Sequence, residues 1–447
     1  MKQKKAMLSV AQRWAIVIIG IPLGFCLGYL ANHFSFPWDS SQKATANDEG
    51  EAPRVELNRI LTNGSSDIPA LHEMDERIER YLKRWEIRGA SIAVSKGDSL
   101  VYAKGYGWAD EERQERMTPQ HLLRVASVSK LLTAAGIMKL VDVGKLRLHA
   151  RVFGPKGLLN DTAYTNVVKD KRIFDITVEQ LLRHQAGFNN AAGDPMFSTR
   201  FIMMQNRLTS APDNRQLIPI ILRRRLGYTP GQGSKYSNFG YMLLSQIIER
   251  VTGMPYEDFM QKNLFAPAGC FDMHLARNYY ENRRSNETRY YMHNTATPSP
   301  EFNNSGRMVV RCYGENDIER LNGAGGWCAS APELCRFVAA IDGRPGVRDV
   351  LSKQSVEAMT ADLHKEHAFS LGWNTTPSNG PWVRTGTLVG TSALVVVYPD
   401  GECWVMITNT STWRGHAFAK ETIGFFDKLR HKYADGFPHR SLWPINE

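Results

Sequence analysis

The sequence has few cysteines, and none of them has the spacing of a metal site. Six of its 447 residues are cysteine, and no CxxC occurs. One of the six, Cys26, lies in an apolar run near the N-terminus. The other five are Cys270, Cys312, Cys328, Cys335 and Cys403. Because five is odd, at least one thiol stays free or pairs between chains. We predict that the protein has no metal site and needs no cofactor.

Two further features are absent, and each excludes a class of function. No G-x-S-x-G sequence occurs, which argues against the nucleophile elbow of the α/β-hydrolases. The formal net charge is +10, but the basic run at residues 223–225 lacks the interleaved aromatic residues that stack on bases. We therefore predict that nucleic acid is not a partner.

Acidic residues are missing from the N-terminal region, where the first is Asp39. Four basic residues precede residues 14–31, an uncharged apolar run with the sequence WAIVIIGIPLGFCLGYLA. As a helix this run is about 27 Å long, close to the thickness of a bilayer's hydrocarbon core. Basic residues before such a span predict a cytoplasmic N-terminus. We expect residues 1–13 to be cytoplasmic, residues 14–31 to be a transmembrane signal-anchor and the remainder to be extracytoplasmic. The alternative is a cleaved signal peptide and a secreted protein.

The chain as a whole has the composition of a folded protein, with 43% hydrophobic and 22% charged residues. Residues 32–68 are predicted to be a linker and residues 69–447 a single domain. Alternating strands around Lys96-Gly97-Asp98 predict one hairpin, and those around Pro399-Asp400-Gly401 predict another near the C-terminus. Helical periodicity dominates between them. We therefore predict an α+β fold: an antiparallel sheet from both chain ends, flanked by helices, with a mostly helical subdomain inserted.

A candidate nucleophile lies where the sequence ASVSK enters an apolar helix. Ser127 and Lys130 are three residues apart, so their side chains share one face of the first turn. A buried lysine with a lowered pKa can accept the proton of the serine. The S-x-x-K spacing alone is a weak signal, because Ser40 and Lys43 also match it in the predicted linker.

A second element, GSKYSN, runs directly into the helix that begins YMLLSQIIERVTG. A phenol beside a cation ionises more readily and can move a proton to or from a leaving group, which is the role predicted for Tyr236. The amide of Asn238 can hold either the substrate or a neighbouring lysine.

The third element is Arg384-Thr385-Gly386-Thr387, which enters the C-terminal hairpin. A small residue in a strand lets a substrate approach the backbone closely, and the strand's N–H groups can complete an oxyanion hole. We predict these four residues to be substrate-binding.

Taken in order, five segments resemble the serine β-lactamase-like superfamily: ASVSK, LLRHQAGF, PGQGSKYSNFGYMLLSQIIERVTG, GGWCASAPELCRF and RTGTLVG. The sequence is most similar to the branch of class C β-lactamases, D-alanyl-D-alanine carboxypeptidases and family VIII esterases, over roughly residues 70 to 435. The resemblance implies that Ser127 is acylated, that Lys130 accepts its proton and that Tyr236 is a general base or acid. It further implies an oxyanion hole formed by the N–H groups of Ser127 and Thr387.

Arg384 departs from this pattern, because the branch usually has lysine or histidine at that position. Arginine keeps the positive charge and can bind a carboxylate with two hydrogen bonds, but it does not release a proton at ordinary pH. The residue suggests a substrate that bears a carboxylate, or else a tolerated replacement without consequence for specificity.

These observations predict an extracytoplasmic serine hydrolase that acts through an acyl-enzyme on a small ester, D-amino-acid peptide or β-lactam. We expect an esterase or peptidase activity more than β-lactam resistance, because release of a penicilloyl group depends on the placement of a water molecule. The alternative is a non-catalytic protein of this fold that binds cell-wall fragments or acts as a scaffold.

Overall fold

The computed structural model describes residues 60–443, with the exception of residues 192, 285, 293–296 and 363–368. The predicted cytoplasmic segment, the predicted anchor and most of the predicted linker lie outside the described residues. Within the described part, no helix has both the length and the apolar composition needed to cross a bilayer.

Eleven strands and thirteen α-helices are present in the described residues. The strands are β1 Gly89–Lys96, β2 Ser99–Asp110, β3 Glu115–Arg116, β4 Leu123–Arg124, β5 His274–Leu275, β6 Ser299–Pro300, β7 Met308–Val309, β8 Trp327–Ala329, β9 Trp382–Leu388, β10 Thr391–Val397 and β11 Glu402–Thr408. The helices are α1 His72–Arg84, α2 Ser129–Asp142, α3 Thr162–Thr165, α4 Val178–Leu182, α5 Thr199–Asn206, α6 Asn214–Leu222, α7 Asn238–Thr252, α8 Tyr256–Met260, α9 Ala266–Ala268, α10 Ile318–Leu321, α11 Ala331–Ala339, α12 Lys353–Thr360 and α13 His416–Tyr433.

The main sheet has six strands in the order β3-β2-β1-β11-β10-β9, and all neighbouring pairs are antiparallel. The two predicted hairpins are therefore present as β1–β2 and β10–β11. They meet where β1 pairs with β11, in a register that places Ala93 opposite Val405. The helices α2 to α12 lie between the two hairpins in the chain. The predicted α+β class, with a sheet from both chain ends and a helical insertion, is confirmed.

Each face of the sheet packs against a separate apolar core, because successive side chains of a strand point to opposite faces. On β11, Trp404 and Met406 belong to a smaller core covered by α1 and α13. Their neighbours Val405 and Ile407 belong to a larger core shared with α2, α7 and α11. This larger core supports the region in which the candidate residues meet.

The end of the predicted linker packs on the sheet. Leu61 is buried. The Asn63 side chain donates to the Met117 carbonyl at 2.9 Å and accepts from the Gly105 N–H at 2.8 Å. Ordered contacts therefore begin before residue 69, and the linker prediction stays a prediction for residues 32–59.

The five cysteines outside the apolar N-terminal run are all free thiols, and all are buried. The described part of the chain therefore contains no disulfide bond, and its stability comes from its two cores.

Candidate active site

Ser127 lies in a 3₁₀ turn of three residues between β4 and α2. The preceding residue, Ala126, has a φ of +49°, a conformation that alanine adopts only where surrounding contacts impose it. Two contacts with β8 hold this turn: the Val125 N–H donates to the Trp327 carbonyl at 2.9 Å, and the Ser129 hydroxyl accepts from the Trp327 N–H at 3.1 Å. The turn leaves Ser127 partly exposed between buried neighbours.

Lys130 lies in the first turn of α2 and is fully buried. Its Nζ donates to Ser127 Oγ at 3.2 Å and to Asn238 Oδ1 at 2.7 Å. A third hydrogen bond goes to the backbone carbonyl of Ala324. The predicted pairing of serine and lysine on one face is therefore present, and Lys130 is held from three sides.

Tyr236 precedes α7 and is the second group that hydrogen-bonds the same serine. Its hydroxyl donates to Ser127 Oγ at 2.7 Å, and its ring centroid lies 4.7 Å from Lys130 Nζ. The helix that follows begins at a Ser237 cap, whose hydroxyl accepts from the Gly240 N–H. This cap fixes where α7 starts and hence where Tyr236 points.

Charge and burial together shift the pKa values of both groups that contact the serine. Burial lowers the pKa of Lys130; the Tyr236 phenol opposes this shift, and the positive charge of Arg384 adds to it. Burial raises the pKa of Tyr236, but Lys130, Arg384 and the hydrogen bonds to Lys130 and Ser127 outweigh it and lower the pKa. Both groups are thus shifted toward the basic form that accepts a proton from a hydroxyl.

Asn238 holds Lys130 in place. Its Oδ1 accepts the lysine hydrogen bond, and its Nδ2 donates to Asp194 Oδ2 at 2.8 Å. Both ends of the amide are thus engaged within the protein, which matches the second of the two roles considered for it. A contact between Asn238 and a substrate stays a prediction.

Arg384, predicted to bind a substrate carboxylate, directs two of its donors to the protein itself, and its contact with a substrate stays a prediction. The side chain is 1% exposed, and its Nε and Nη2 donate to the backbone carbonyl of Ser127 at 2.8 and 2.5 Å. The paired donors expected to bind a substrate carboxylate therefore bind the backbone of the nucleophile. The side chain adopts this direction because β9 lies alongside the turn that carries the serine.

The other residues of β9 line the same turn. A Cβ placed on Gly386 would lie 2.2 Å from the Val125 carbonyl oxygen and 2.9 Å from the Ser127 nitrogen, so only glycine allows this approach. The Thr385 N–H donates to Asn374 Oδ1 at 2.7 Å. Strand β9 thus passes close to the backbone N–H of Ser127. An oxyanion hole formed by N–H groups of Ser127 and of β9 requires this arrangement.

A cleft of about 650 Å³ opens beside Thr387. Its walls come from α5, the turn before α5 and the segments around β6 and β7. Its lining includes three aromatic and three charged side chains: Phe197, Phe201, Phe302, Arg200, Arg311 and Glu315. Within the described residues this space adjoins the predicted oxyanion strand, and it is large enough for a small organic substrate.

Three functional contacts were missed in the sequence. Asp194 accepts a hydrogen bond from the Asn238 amide and holds it in place. The backbone carbonyl of Ala324 accepts from Lys130, and because every residue has such a carbonyl, the sequence cannot indicate this contact. His184 packs its ring 4.5 Å from the Tyr236 ring and accepts at Nδ1 from the Ser237 N–H. Burial and the nearby positive charges hold the pKa of His184 well below its usual value. This histidine lies in the LLRHQAGF segment, so the resemblance contained a signal for it.

Among the described residues, one group of side chains has a spacing suited to a metal ion, and it lies outside this site. It consists of His274, Glu287 and Cys328. The site around Ser127 holds hydroxyl, amine, phenol and guanidinium groups, which suit acyl transfer.

Comparison with known proteins gives concordant matches. A model of the Beta-lactamase family matches residues 74–425. Protein flp of Staphylococcus aureus (strain N315) is 28% identical over 251 residues, which cover 54% of this chain and 45% of that protein, less than half its length. The putative penicillin-binding protein PbpX of Bacillus subtilis (strain 168) is 25% identical over 355 residues, covering 79% and 78% of the two chains.

Solved structures share the fold. The D-amino acid amidase from Ochrobactrum anthropi SV3, complexed with L-phenylalanine amide, superposes with a TM-score of 0.61 at 21% identity. The match covers 81% of this chain and 99% of the amidase. The architecture built from both chain ends is therefore common to the two proteins.

Proposed function

Because the chain belongs to the β-lactamase family, we propose that it is a serine hydrolase that forms an acyl-enzyme on Ser127. One observation carries the proposal: Ser127 Oγ lies 2.7 Å from the Tyr236 hydroxyl and 3.2 Å from Lys130 Nζ. A serine that contacts two groups with lowered pKa values is poised to lose its proton as it attacks a carbonyl carbon.

The reaction proceeds in two halves. In the first, Ser127 Oγ attacks the substrate carbonyl while its proton passes to Lys130 or Tyr236. The oxyanion of the tetrahedral intermediate is bound by the N–H groups of Ser127 and Thr387. The bond to the leaving group then breaks, and the leaving amine or alcohol takes up a proton from Tyr236; where Lys130 accepted the serine proton, Lys130 passes it on to Tyr236. In the second half, water attacks the acyl-enzyme by the same proton path and releases the acid.

We propose a small amide or ester as the substrate, with a D-amino-acid compound as the first candidate. Two relatives support this class by name, the penicillin-binding PbpX and the D-amino acid amidase. The cleft beside Thr387 offers three phenylalanines to an apolar group of the substrate. We also propose an extracytoplasmic domain anchored by residues 14–31, based on the uncharged run and the basic residues before it.

Labelling with an acylating probe tests the nucleophile. The full-length protein in detergent is incubated with a fluorophosphonate and, separately, with a labelled penicillin, and the modified peptide is mapped. We expect the label on Ser127 and its loss in Ser127→Ala. The matched control is Ser40→Ala, because Ser40 and Lys43 repeat the S-x-x-K spacing in the predicted linker. If no probe labels Ser127, the proposal fails.

Turnover identifies the substrate class. Hydrolysis of a D-amino-acid amide, a D-Ala-D-Ala peptide, a p-nitrophenyl ester and nitrocefin is compared for the wild type and Ser127→Ala. We expect turnover of the amide, peptide or ester to exceed that of nitrocefin. Ligand binding that persists in Ser127→Ala, with no turnover in the wild type, would instead identify a non-catalytic binding protein.

A further inference from the structure

A buried cluster behind the catalytic turn combines three metal-binding side chains. His274 lies in β5, Cys328 lies in β8, and Glu287 pairs with Leu122 in an isolated parallel bridge. Their potential ligand atoms all lie within 4.8 Å of one another, and all three residues are buried. None of these three residues hydrogen-bonds Ser127 Oγ, so the cluster is separate from the proposed catalytic residues.

Two of these ligand atoms lack a hydrogen-bond partner. His274 Nε2 and Glu287 Oε2 are both buried without a hydrogen bond of ordinary length, and they face each other at 3.7 Å, a separation at which a protonated ring and the carboxylate form an ion pair. The other ring nitrogen, Nδ1, lies 2.9 Å from the Asp272 carbonyl oxygen, which can only accept, so Nδ1 carries a proton. In the neutral ring Nε2 then presents a lone pair to a carboxylate oxygen. Two buried acceptors facing each other are costly, and either a proton on the ring or a shared cation removes that cost.

The surrounding structure holds the three ligands in place. His274 and Cys328 are direct cross-strand neighbours in the sheet β4-β8-β5. The other carboxylate oxygen, Glu287 Oε1, accepts from the Tyr290 hydroxyl at 2.9 Å. Metal-binding histidines and carboxylates commonly have outer partners of this kind, which fix the ring tautomer and the ligand direction.

Arg124 is the competing cation, and it faces the opposite side of the carboxylate. Its Nε lies 3.9 Å from Glu287 Oε1, whereas His274 faces Oε2. Two further guanidinium nitrogens donate to the carbonyls of Cys312 and Arg277, at 2.8 and 2.7 Å. The guanidinium is thus held on backbone oxygens and leaves the space between Oε2, Nε2 and the thiol to another cation.

We propose that His274, Glu287 and Cys328 form a buried binding site for a divalent ion of the zinc type. Imidazole nitrogen, carboxylate oxygen and thiolate sulfur together suit Zn²⁺, whereas Mg²⁺ and Ca²⁺ prefer oxygen ligands alone. Binding converts the Cys328 thiol to a thiolate, and its proton leaves to solvent. Three protein ligands leave the fourth tetrahedral position for a water molecule.

Such an ion would stabilise β8, the strand that holds the turn carrying Ser127. The residue before Cys328 is Trp327, whose backbone bonds to Val125 and Ser129 on either side of Ser127. Cross-linking β5 to β8 through a metal therefore strengthens the strand from which the turn is held. A ligand that binds only the folded state raises the melting temperature by mass action.

Metal content and stability test the site on the full-length protein in detergent. The protein is stripped with a chelator, reconstituted with Zn²⁺ or Co²⁺ and desalted, and bound metal is measured by mass spectrometry. We expect about one ion per chain, a thiolate-to-cobalt absorption band, and a rise in melting temperature on the order of 5 °C with excess zinc. Cys328→Ser and His274→Asn should lose the ion, the band and the rise.

Cys270→Ser is the matched control, since Cys270 is another buried thiol, one that donates to the Glu333 carbonyl. It should bind metal as the wild type does, and circular dichroism verifies the fold of each variant. Stoichiometric metal that persists in both Cys328→Ser and His274→Asn would overturn the site. So would a wild type that binds no metal after reconstitution, which would leave a water molecule or a protonated His274 paired with Glu287 between these residues.

Discussion

Replacing Arg384 should change the pH at which the serine becomes reactive. The arginine charge lowers the pKa of both Lys130 and Tyr236. Arg384→Met removes that charge, so both pKa values should rise and less of each base should be present at neutral pH. The acidic limb of the acylation rate, plotted against pH, should therefore move toward alkaline pH.

The size of this shift follows from screened charge interaction. Arg384 and Lys130 both hydrogen-bond Ser127, so their charges lie within roughly 10 Å of each other and interact by about 1.7 kcal/mol or more at an effective dielectric constant of 20. This corresponds to roughly 1 pKa unit or a little more. Reorganisation after the substitution reduces this value, so we expect a shift of about 1 pH unit and a loss of about tenfold in rate at neutral pH. Arg384→Met also leaves the Ser127 carbonyl without its two donors, which adds a pH-independent loss.

Arg384→Lys separates the charge from the hydrogen bonds. Lysine keeps the positive charge but cannot present two donors in the fixed geometry of a guanidinium. We expect its acidic limb to stay near that of the wild type while the rate falls by about tenfold at every pH, the equivalent of roughly 1.4 kcal/mol.

The assay is the second-order rate of fluorophosphonate labelling, measured from acidic to alkaline pH for the wild type and both variants. Thermal melting at each pH verifies that the proteins are folded. An acidic limb that does not move in Arg384→Met would refute the electrostatic role of this residue. If the acidic limb of the pH–rate profile moves as far in Arg384→Lys as in Arg384→Met, the effect comes from the lost hydrogen bonds and not from the lost charge.

Three further substitutions test the site. Tyr236→Phe removes one of the two groups on the serine and should slow labelling by about 10²-fold or more; an unchanged rate would leave Lys130 as the only base. Gly386→Ala places a methyl group against the turn and should cost about 1–3 kcal/mol by overpacking, measured by denaturant unfolding, whereas Gly424→Ala, in open space on α13, should not destabilise. Asp194→Asn weakens the brace on Asn238 and should lower kcat about tenfold with little change in KM; an effect on KM alone would assign it to substrate binding instead.

Local patterns in the sequence predicted the elements well. Alternation and turn residues located β1, β2, β10 and β11, and the spacing of Ser127 and Lys130 placed both at the start of a helix. These features depend on residues that are close together in the sequence, so hydrophobic periodicity and capping residues are enough to predict them. A capping box formed by Thr177 and Gln180 is such a local feature, and it is present at the start of α4.

Partners across long stretches of chain were harder to predict. Arg384 was expected to face a substrate because its residue type binds carboxylates, but the packing of β9 against the serine turn directs it to a backbone carbonyl. Ala324 contributes only its backbone oxygen, which any residue could supply. Asp194 is one acidic residue among many, and only the tertiary structure shows which amide it contacts. Residue type therefore indicates the available chemistry, and packing selects the partner.

The pairing of β1 with β11 has a consequence for how the protein is made. Ala90, near the start of the domain, is paired with Thr408, near its end. The central strand pair of the sheet therefore forms only after almost the whole chain has been synthesised. Contacts between such distant segments slow folding, because the closure entropy of the long loop must be overcome first. Until β11 is synthesised, the edge of β1 has no partner strand. Strands β9 and β10, which pair with each other, also cannot join β1 and β2 in one sheet before then.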